Sequence, residues 1–209
     1  LVLSKIVLTT LPEVPSLSVS DVEYRAAIDG CGLVDRSERG KLALSGSEAK
    51  PFLQGQVSND VEALTPGRGC YAALLTPKGK MLADLRILDT GEELLIDTER
   101  IALQELFNVM RRFSLGYATE LHKRTLERGL LSLIGPDSDA VLGAGTTSVG
   151  PAEHQHVHSE IAGIPVRLIR TDLGVDLLCD SDHTEALGDA LRAAGAVEIS
   201  AATADTVRI

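Results

Sequence analysis

Tryptophan is absent from this chain, and aromatic residues make up only 3% of it. Any core must therefore be built from leucine, valine, isoleucine and alanine. Cysteine is almost as scarce. Cys31, Cys70 and Cys179 are far apart, odd in number and never paired as Cys-x-x-Cys, so neither a disulfide framework nor a zinc site is indicated. Reduced, mostly buried thiols in a cytoplasmic protein are the plain expectation. No apolar run has the roughly 18–20 residues needed to span a bilayer, and the opening LVLSKIVLTTLPEVPSL shows no secretory pattern. Basic residues are outnumbered 20 to 30, giving a formal charge of −10. A nucleic-acid groove needs a basic stripe to displace counterions, so direct nucleic-acid binding is not expected. An anionic small ligand held by one or two arginines stays open. The phosphate-cradling patterns GxGxxG and GxxxxGK[ST] and the nucleophile pattern GxSxG do not occur.

What is present is 209 residues with 44% hydrophobic and 24% charged content, ordinary for one large domain or two small ones. The most informative stretch is LTPGRGCYAALLTPKGKMLADLRIL, residues 64–88. Two strand-like runs, Cys70–Thr76 and Lys80–Leu88, flank the turn Thr76-Pro77-Lys78-Gly79. Proline presets one turn torsion and glycine accepts positive φ, so a hairpin is predicted. In its second strand Met81, Ala83, Leu85 and Ile87 share an apolar face, and Lys80, Leu82, Asp84, Arg86 and Leu88 share a mixed one. That mixed face reads either as a solvated strand surface or as the wall of a ligand site.

Elsewhere, residues 1–18 read as a strand with a proline-punctuated connection, and Ser20-Asp21-Val22-Glu23 as a capping box opening a helix to about Gly30. A strand at Lys41–Leu44, a short helix after Ser47 and a turn at Val57–Val61 precede the hairpin, and a third strand is expected at Glu93–Asp97. Ile101–Phe113 is an amphipathic helix with Leu103, Leu106, Phe107, Met110 and Phe113 on one side. Strands follow near Ala118–His122, Gly129–Ile134, Val157–Ile161, Pro165–Arg170 and Gly174–Cys179, with a short helix at Pro136–Leu142 and another opening at Asp182-His183-Thr184-Glu185. The mixture lacks a regular βαβ alternation, so an α+β fold is expected. His154-x-His156-x-His158 would share one strand face, but no cysteine completes a metal shell there, and a polar strand edge is the preferred reading. No metal site is expected.

Five segments carry a resemblance. GKLALSG (40–46), FLQGQVSNDVEALTPG (52–67), YAALLTPKGKMLADL (71–85), GVDLL (174–178) and ADTVRI (204–209), in this order and spacing, resemble the folate-binding aminomethyltransferase superfamily. That superfamily includes the glycine-cleavage T-protein and the YgfZ-type proteins linked to iron–sulfur cluster maintenance. The resemblance implies mixed and antiparallel sheets in ferredoxin-like subdomains around a central folate-binding channel. It implies one unit at 1–115 carrying the hairpin and a second at 116–209, with the family's C-terminal domain lying beyond this sequence. Tetrahydrofolate is the implied cofactor, and Asn59, Tyr71, Asp84, Arg86, Asp176 and Arg208 are the implied folate-binding residues, Asp84 being also the catalytic candidate.

Within the superfamily the FLQGQVSND and TPKGKMLADLR phrasing is closer to the YgfZ type. Where T-proteins carry two adjacent aspartates, this chain has Ala83-Asp84, and their Arg-Thr-Gly-Tyr-Thr-Gly-Glu run is reduced to Arg170-Thr171-Asp172-Leu173-Gly174. Arg68-Gly69-Cys70-Tyr71 is similar to the start of a YgfZ cysteine motif but breaks off at Ala72 and lies in a different place. The resemblance thus implies first a cytoplasmic folate-binding protein supporting iron–sulfur enzymes, tRNA-modifying ones included. Two alternatives stand beside it: a folate-dependent aminomethyl- or methyltransferase, and a folate-binding scaffold without turnover.

Overall fold

The computed structural model describes residues 21–143 and 148–207. Arg208 and the strand expected before residue 18 lie outside the described residues.

Alternating apolar runs fold into two sheets. The first has the order β3 (Arg68–Leu75), β4 (Met81–Asp89), β5 (Glu93–Thr98), β2 (Gly40–Ser45) and β6 (Glu120–Lys123). The second has the order β11 (Val197–Glu198), β1 (Gly32–Asp35), β7 (Arg128–Ile134), β10 (Gly174–Asp180), β9 (Ile164–Arg170) and β8 (His156–Ile161). Neighbours pair antiparallel except β1 with β11, which run parallel. This is the expected α+β class with mixed and antiparallel sheets. The sheets interleave along the chain: β1 belongs to the second and β6 to the first, so a cut between residues 115 and 116 separates neither.

Each sheet buries one face under helices, because period-2 alternation leaves each strand with an apolar side to cover. Leu42, Leu44, Leu74, Leu85, Ile87, Leu94 and Ile96 pack against Phe52 and Leu53 of α2 (Ala49–Gln54) and Leu103, Leu106 and Met110 of α3 (Leu103–Phe113). Leu131, Leu133, Val166, Leu168, Val175 and Leu177 pack against Val141 of α4 (Ser138–Leu142) and Leu187 and Leu191 of α5 (Thr184–Ala193). The other faces of the two sheets meet, with Leu88 and Leu95 approaching Leu130, Ile169 and Leu178 across a void of only about 20 Å³. At one end α1 (Asp21–Asp29) and α6 (Ala201–Val207) cover Val34 and Ile134 instead. Glu23 of α1 accepts hydrogen bonds from Ser200 N (2.9 Å), Ser200 Oγ (2.7 Å) and Thr203 Oγ1 (2.5 Å), tying the two helices together.

The hairpin turn forms as the sequence predicts. Thr76 N donates to Lys80 O at 2.8 Å, and Gly79 takes φ +78, which a side chain would disfavour. Two details of the apolar faces differ. Met81 is 60% exposed, because a register shift between Leu74 and Leu75 pairs Leu75 with Met81 and leaves the tip beyond the helical cover. Phe113, at the last position of α3, is 50% exposed, where the amphipathic stripe runs past the edge of the sheet.

Candidate functional site

The mixed face of the hairpin is exposed at its tip, at Lys80, but from Arg86 on it turns toward the second sheet, where Arg86, Asp97, Asp176 and Arg39 form a largely buried ladder. Arg86 Nη2 lies 2.5 Å from Asp97 Oδ2, and Arg86 Nη1 lies 2.6 Å from Asp176 Oδ2 on β10 of the other sheet. Arg39 meets the second oxygen of Asp97 at 2.7 Å and continues to Glu99. Arg86 and Asp97 face each other because their strands pair in that register. Burial works against the charge on Arg86, but Asp97 and Asp176 together outweigh it and raise its pKa. Burial likewise pushes the Asp97 carboxyl up, and Arg86 and Arg39 more than reverse this, holding it below its ordinary value.

Beside the ladder, at the seam between the sheets, is a cavity of about 340 Å³ lined by Tyr71, Arg86, Asp97, Ser132, His154, Asp172, Leu173 and Asp176, among others. Its walls carry five carboxylates (Asp97, Glu99, Glu153, Asp172, Asp176) against three arginines (Arg36, Arg39, Arg86). The excess of acids suits a neutral or cationic ring better than a polyanion. The size is at the lower end of the roughly 300–1,000 Å³ usual for small-molecule sites.

Tyr71 stands at the rim. Its hydroxyl donates a hydrogen bond to Asp84 Oδ2 on the adjacent strand, and its backbone carbonyl accepts from Asn59 Nδ2 at 2.8 Å. Thr98 Oγ1 donates to the Asp84 carbonyl at 2.6 Å, pinning that stretch of β4 to β5. The Tyr71 ring lies nearly parallel to that of His154, 20° between planes with centroids 6.3 Å apart. His154 reaches this position from outside β8, with φ +62 and its N–H donating to Arg170 O at 2.9 Å. Gly69 makes the approach possible: a Cβ there would stand 3.1 Å from His154 Cβ and 2.5 Å from Ile87 O.

The residues singled out from the sequence are thus brought together unequally. Tyr71, Arg86 and Asp176 line the cavity. Asp84 is half-buried on the same sheet face and joins the cavity through the Tyr71 hydroxyl rather than lining it. Asn59 stands behind Tyr71, holding its backbone. Arg208 lies outside the described residues. Asp176 spends one of its oxygens on Arg86. Asp172 lines the same cavity without an ion pair among the described residues and is the more available carboxylate. Sequence reasoning missed Arg39, Asp97, Ser132 and His154. Asp97 had a signal, since it interrupts the apolar run ELLIDT on the strand next to Arg86. His154 had only a misleading one. The His-x-His-x-His spacing suggests one shared face, yet His156 and His158 turn to Arg167 (His156 Nδ1 at 2.8 Å) while His154 turns to Tyr71. Among the described residues no group of three or more His, Cys, Asp or Glu is placed to hold a metal ion.

With this geometry in view, the relationship to known proteins becomes specific. The family model described as "GCVT N-terminal domain" matches residues 14–209. The chain belongs to that family. Curated relatives named aminomethyltransferase include those of Chloroherpeton thalassium, 28% identical over 201 residues (90% of this chain, 55% of the relative), and Bacillus subtilis, 29% identical over 201 residues (89% and 54%). The chain spans about half the length of these relatives. Among solved structures, the glycine cleavage system aminomethyltransferase T of Bartonella henselae superimposes with a TM-score of 0.79 at 22% identity, covering 90% of this chain and 52% of that one. Heterotetrameric sarcosine oxidase from Corynebacterium sp. U-96 follows with a TM-score of 0.58 at 19% identity, covering 86% and 94%. At these identities the superpositions speak for the fold alone, and the family rests on the match over residues 14–209.

Proposed function

We propose that this chain forms the tetrahydrofolate-binding part of an aminomethyltransferase-type protein, with the pterin ring in the cavity between the sheets and Asp84 as its acid–base group. The observation that carries the reading is the Tyr71–Asp84 pair at the rim of that cavity. The residues fit a pterin: an aromatic face at Tyr71 and carboxylates at Asp172 and Asp176. When bound, tetrahydrofolate would supply the nitrogen that carries a one-carbon unit. Tyr71 orients the Asp84 carboxylate by donating to it, and Asp84 keeps lone pairs that would hold a proton given up by such a nitrogen.

The single aspartate does not weigh against transfer chemistry. Ala83 is buried in the core beneath the hairpin, on the face opposite the cavity, so an aspartate at 83 would not reach the site. The relatives named aminomethyltransferase support the same reading.

A second reading, a YgfZ-type folate protein in the cytoplasm supporting iron–sulfur and tRNA-modifying enzymes, is favoured by one observation: after Arg170-Thr171 the chain has Asp172-Leu173 where the T-protein run has Gly-Tyr. In either reading, units at 1–115 and 116–209 are proposed to fold jointly around the folate site.

Calorimetric titration with tetrahydrofolate, followed by an assay of folate-dependent aminomethyl turnover, tests the proposal. Asp84→Asn is expected to lower turnover by about 10²–10⁴ while leaving affinity for tetrahydrofolate nearly unchanged. Turnover unaffected by Asp84→Asn would remove Asp84 from the mechanism. Binding without any turnover, with iron–sulfur enzyme activities falling when the gene is deleted, would favour the second reading.

A further inference from the structure

Large apolar side chains left in water forgo the free energy that burial would give, so a soluble chain exposes them singly rather than in groups. The end of α3 departs from this. Phe113 is 50% exposed, Leu115 83% and Tyr117 43%, all within one short turn of chain. Arg111 and Arg112 are exposed beside them. The helix dipole favours cations in the last turn of a helix, but it gives no reason for three uncovered apolar groups to follow them.

The turn that carries these side chains is fixed by its backbone. Ser114 N donates to Met110 O at 2.9 Å and Tyr117 N to Ser114 O at 3.1 Å, closing the chain tightly after the helix. Glu48 N donates to Ala118 O at 3.2 Å, Ala118 N to Glu48 Oε2 at 2.5 Å, and Thr119 Oγ1 to Ser45 O at 3.0 Å. Gly46 permits the approach, since a Cβ there would collide with Ala118 O. The Tyr117 ring rests against Phe52 of the core, 5.2 Å between centroids, and the Arg112 guanidinium lies 5.5 Å over the Phe113 ring. A partner would therefore meet a backbone already ordered, which lowers the cost of binding.

The same stretch is an island of positive charge. No acidic residue occurs between Glu105 and Glu120, in a chain whose acids outnumber its basic residues 30 to 20. Of the nearest carboxylates, Glu48 accepts from Ala118 N and Glu120 lies 3.4 Å from His122. Neither Arg111 nor Arg112 has a carboxylate within ion-pair distance among the described residues.

We infer that the C-terminal end of α3 and the turn after it dock an acidic polypeptide segment that carries an apolar anchor. Its carboxylates meet Arg111 and Arg112, and its anchor packs on Phe113 and Leu115. Arginine and aromatic side chains dominate the energetics of such interfaces. A nucleic acid or an anionic bilayer would set a broad negative surface against a chain of formal charge −10. A short acidic segment stays within a Debye length, about 8 Å, of the two arginines and meets mainly their field. None of these residues lines the cavity assigned to folate, so the inference stands apart from that reading.

The test selects a phage-displayed library of random short peptides on the full chain. Sequences enriched on the wild type are expected to combine glutamate or aspartate with a leucine, isoleucine, phenylalanine or tryptophan. A synthetic peptide of the most enriched sequence should bind Leu115→Ser and Arg111→Gln/Arg112→Gln each about tenfold more weakly than the wild type. Added salt should weaken binding to the wild type and to Leu115→Ser, but much less to the double arginine variant. Both variants should melt with the wild type, because the replaced side chains stand in water. No enrichment, enriched peptides without acidic residues, or equal affinity for the wild type and both variants would overturn the inference. So would a lowered melting temperature for Leu115→Ser, which would show that this side chain packs within its own chain. A dimer seen by sedimentation and abolished by Leu115→Ser would overturn it in favour of a second copy of this chain. Binding to phosphatidylserine vesicles, lost in the same variants, would overturn it in favour of a membrane surface.

Discussion

Arg86 is the residue whose loss should be felt most, and the size of the effect follows from what it leaves behind. Its guanidinium serves two carboxylates at once, Asp97 at 2.5 Å within its own sheet and Asp176 at 2.6 Å in the other. In Arg86→Met, Asp97 retains Arg39 at 2.7 Å, but Asp176 has no second cation within ion-pair distance among the described residues. Removing one partner of a buried pair typically costs about 3–5 kcal/mol, because the remaining charge stays desolvated without compensation. For a domain of this size each kcal/mol corresponds to roughly 2–4 °C, so a drop in melting temperature of roughly 6–20 °C is expected.

A double variant separates the electrostatic explanation from simple loss of packing. In Arg86→Met/Asp176→Asn the stranded charge is gone, so the double variant should be more stable than Arg86→Met alone despite carrying one more substitution. In the wild type Asp97 is held below its ordinary value, so its contribution is complete above the unfolded carboxyl pKa and disappears only as pH falls through the lower folded one. Urea midpoints at pH 7 for the three proteins suffice. A loss under about 1 kcal/mol, or a double variant no more stable than Arg86→Met, would show that the ladder is solvated and that the reasoning is wrong.

Other outcomes can be checked alongside. Tyr71→Phe removes the donor to Asp84 at the open rim, so turnover is expected to fall about tenfold with little change in melting temperature. Gly69→Ala places a Cβ 2.5 Å from Ile87 O. It should cost about 1–3 kcal/mol and weaken ligand binding by displacing His154, both measurable by denaturation and calorimetry. Burial, with Arg167 beside it, depresses the His156 pKa to about 4, so the unfolded chain takes up a proton that the native state refuses. Stability is then lost as pH falls from about 6.5 toward 4, by up to about 1.4 kcal/mol per pH unit, and His156→Gln should flatten that slope.

The elements were legible because each rests on local pattern. The hairpin turn, the amphipathic α3 and the strands at 128–134 and 164–170 lie within a residue or two of where alternation and turn chemistry place them. The two-residue β11 and the helix at 201–207 were not, since they are short and acquire their order from α1 and β1 rather than from their own sequence. The site was legible only as far as strand parity reaches. Parity puts Asp84 and Arg86 on one face, but not that the face meets a second sheet whose partner for Arg86 lies 90 positions away. Nor could parity handle His154, because a left-handed residue at the mouth of β8 breaks the alternation that would align it with His156 and His158.

Strand parity, read through to its consequence, also changes the weight of the position beside Asp84. As a string, Ala83-Asp84 reads as a catalytic pair reduced by half, and so as a protein that has moved away from transfer chemistry. On an extended strand neighbouring side chains point to opposite faces. Asp84 turns to the Tyr71 hydroxyl while Ala83 packs with Leu42, Leu85 and Ile96 in the core. An aspartate at 83 would be a buried carboxylate among leucines, with a penalty of several kcal/mol unless it found a partner there. The alanine is therefore the stable choice for this core and carries no information about the chemistry across the sheet, where Asp84 is still in place beside Tyr71. Ala83→Asp should accordingly destabilise the fold without raising turnover. A gain in turnover would mean that the two faces communicate in a way this geometry does not allow.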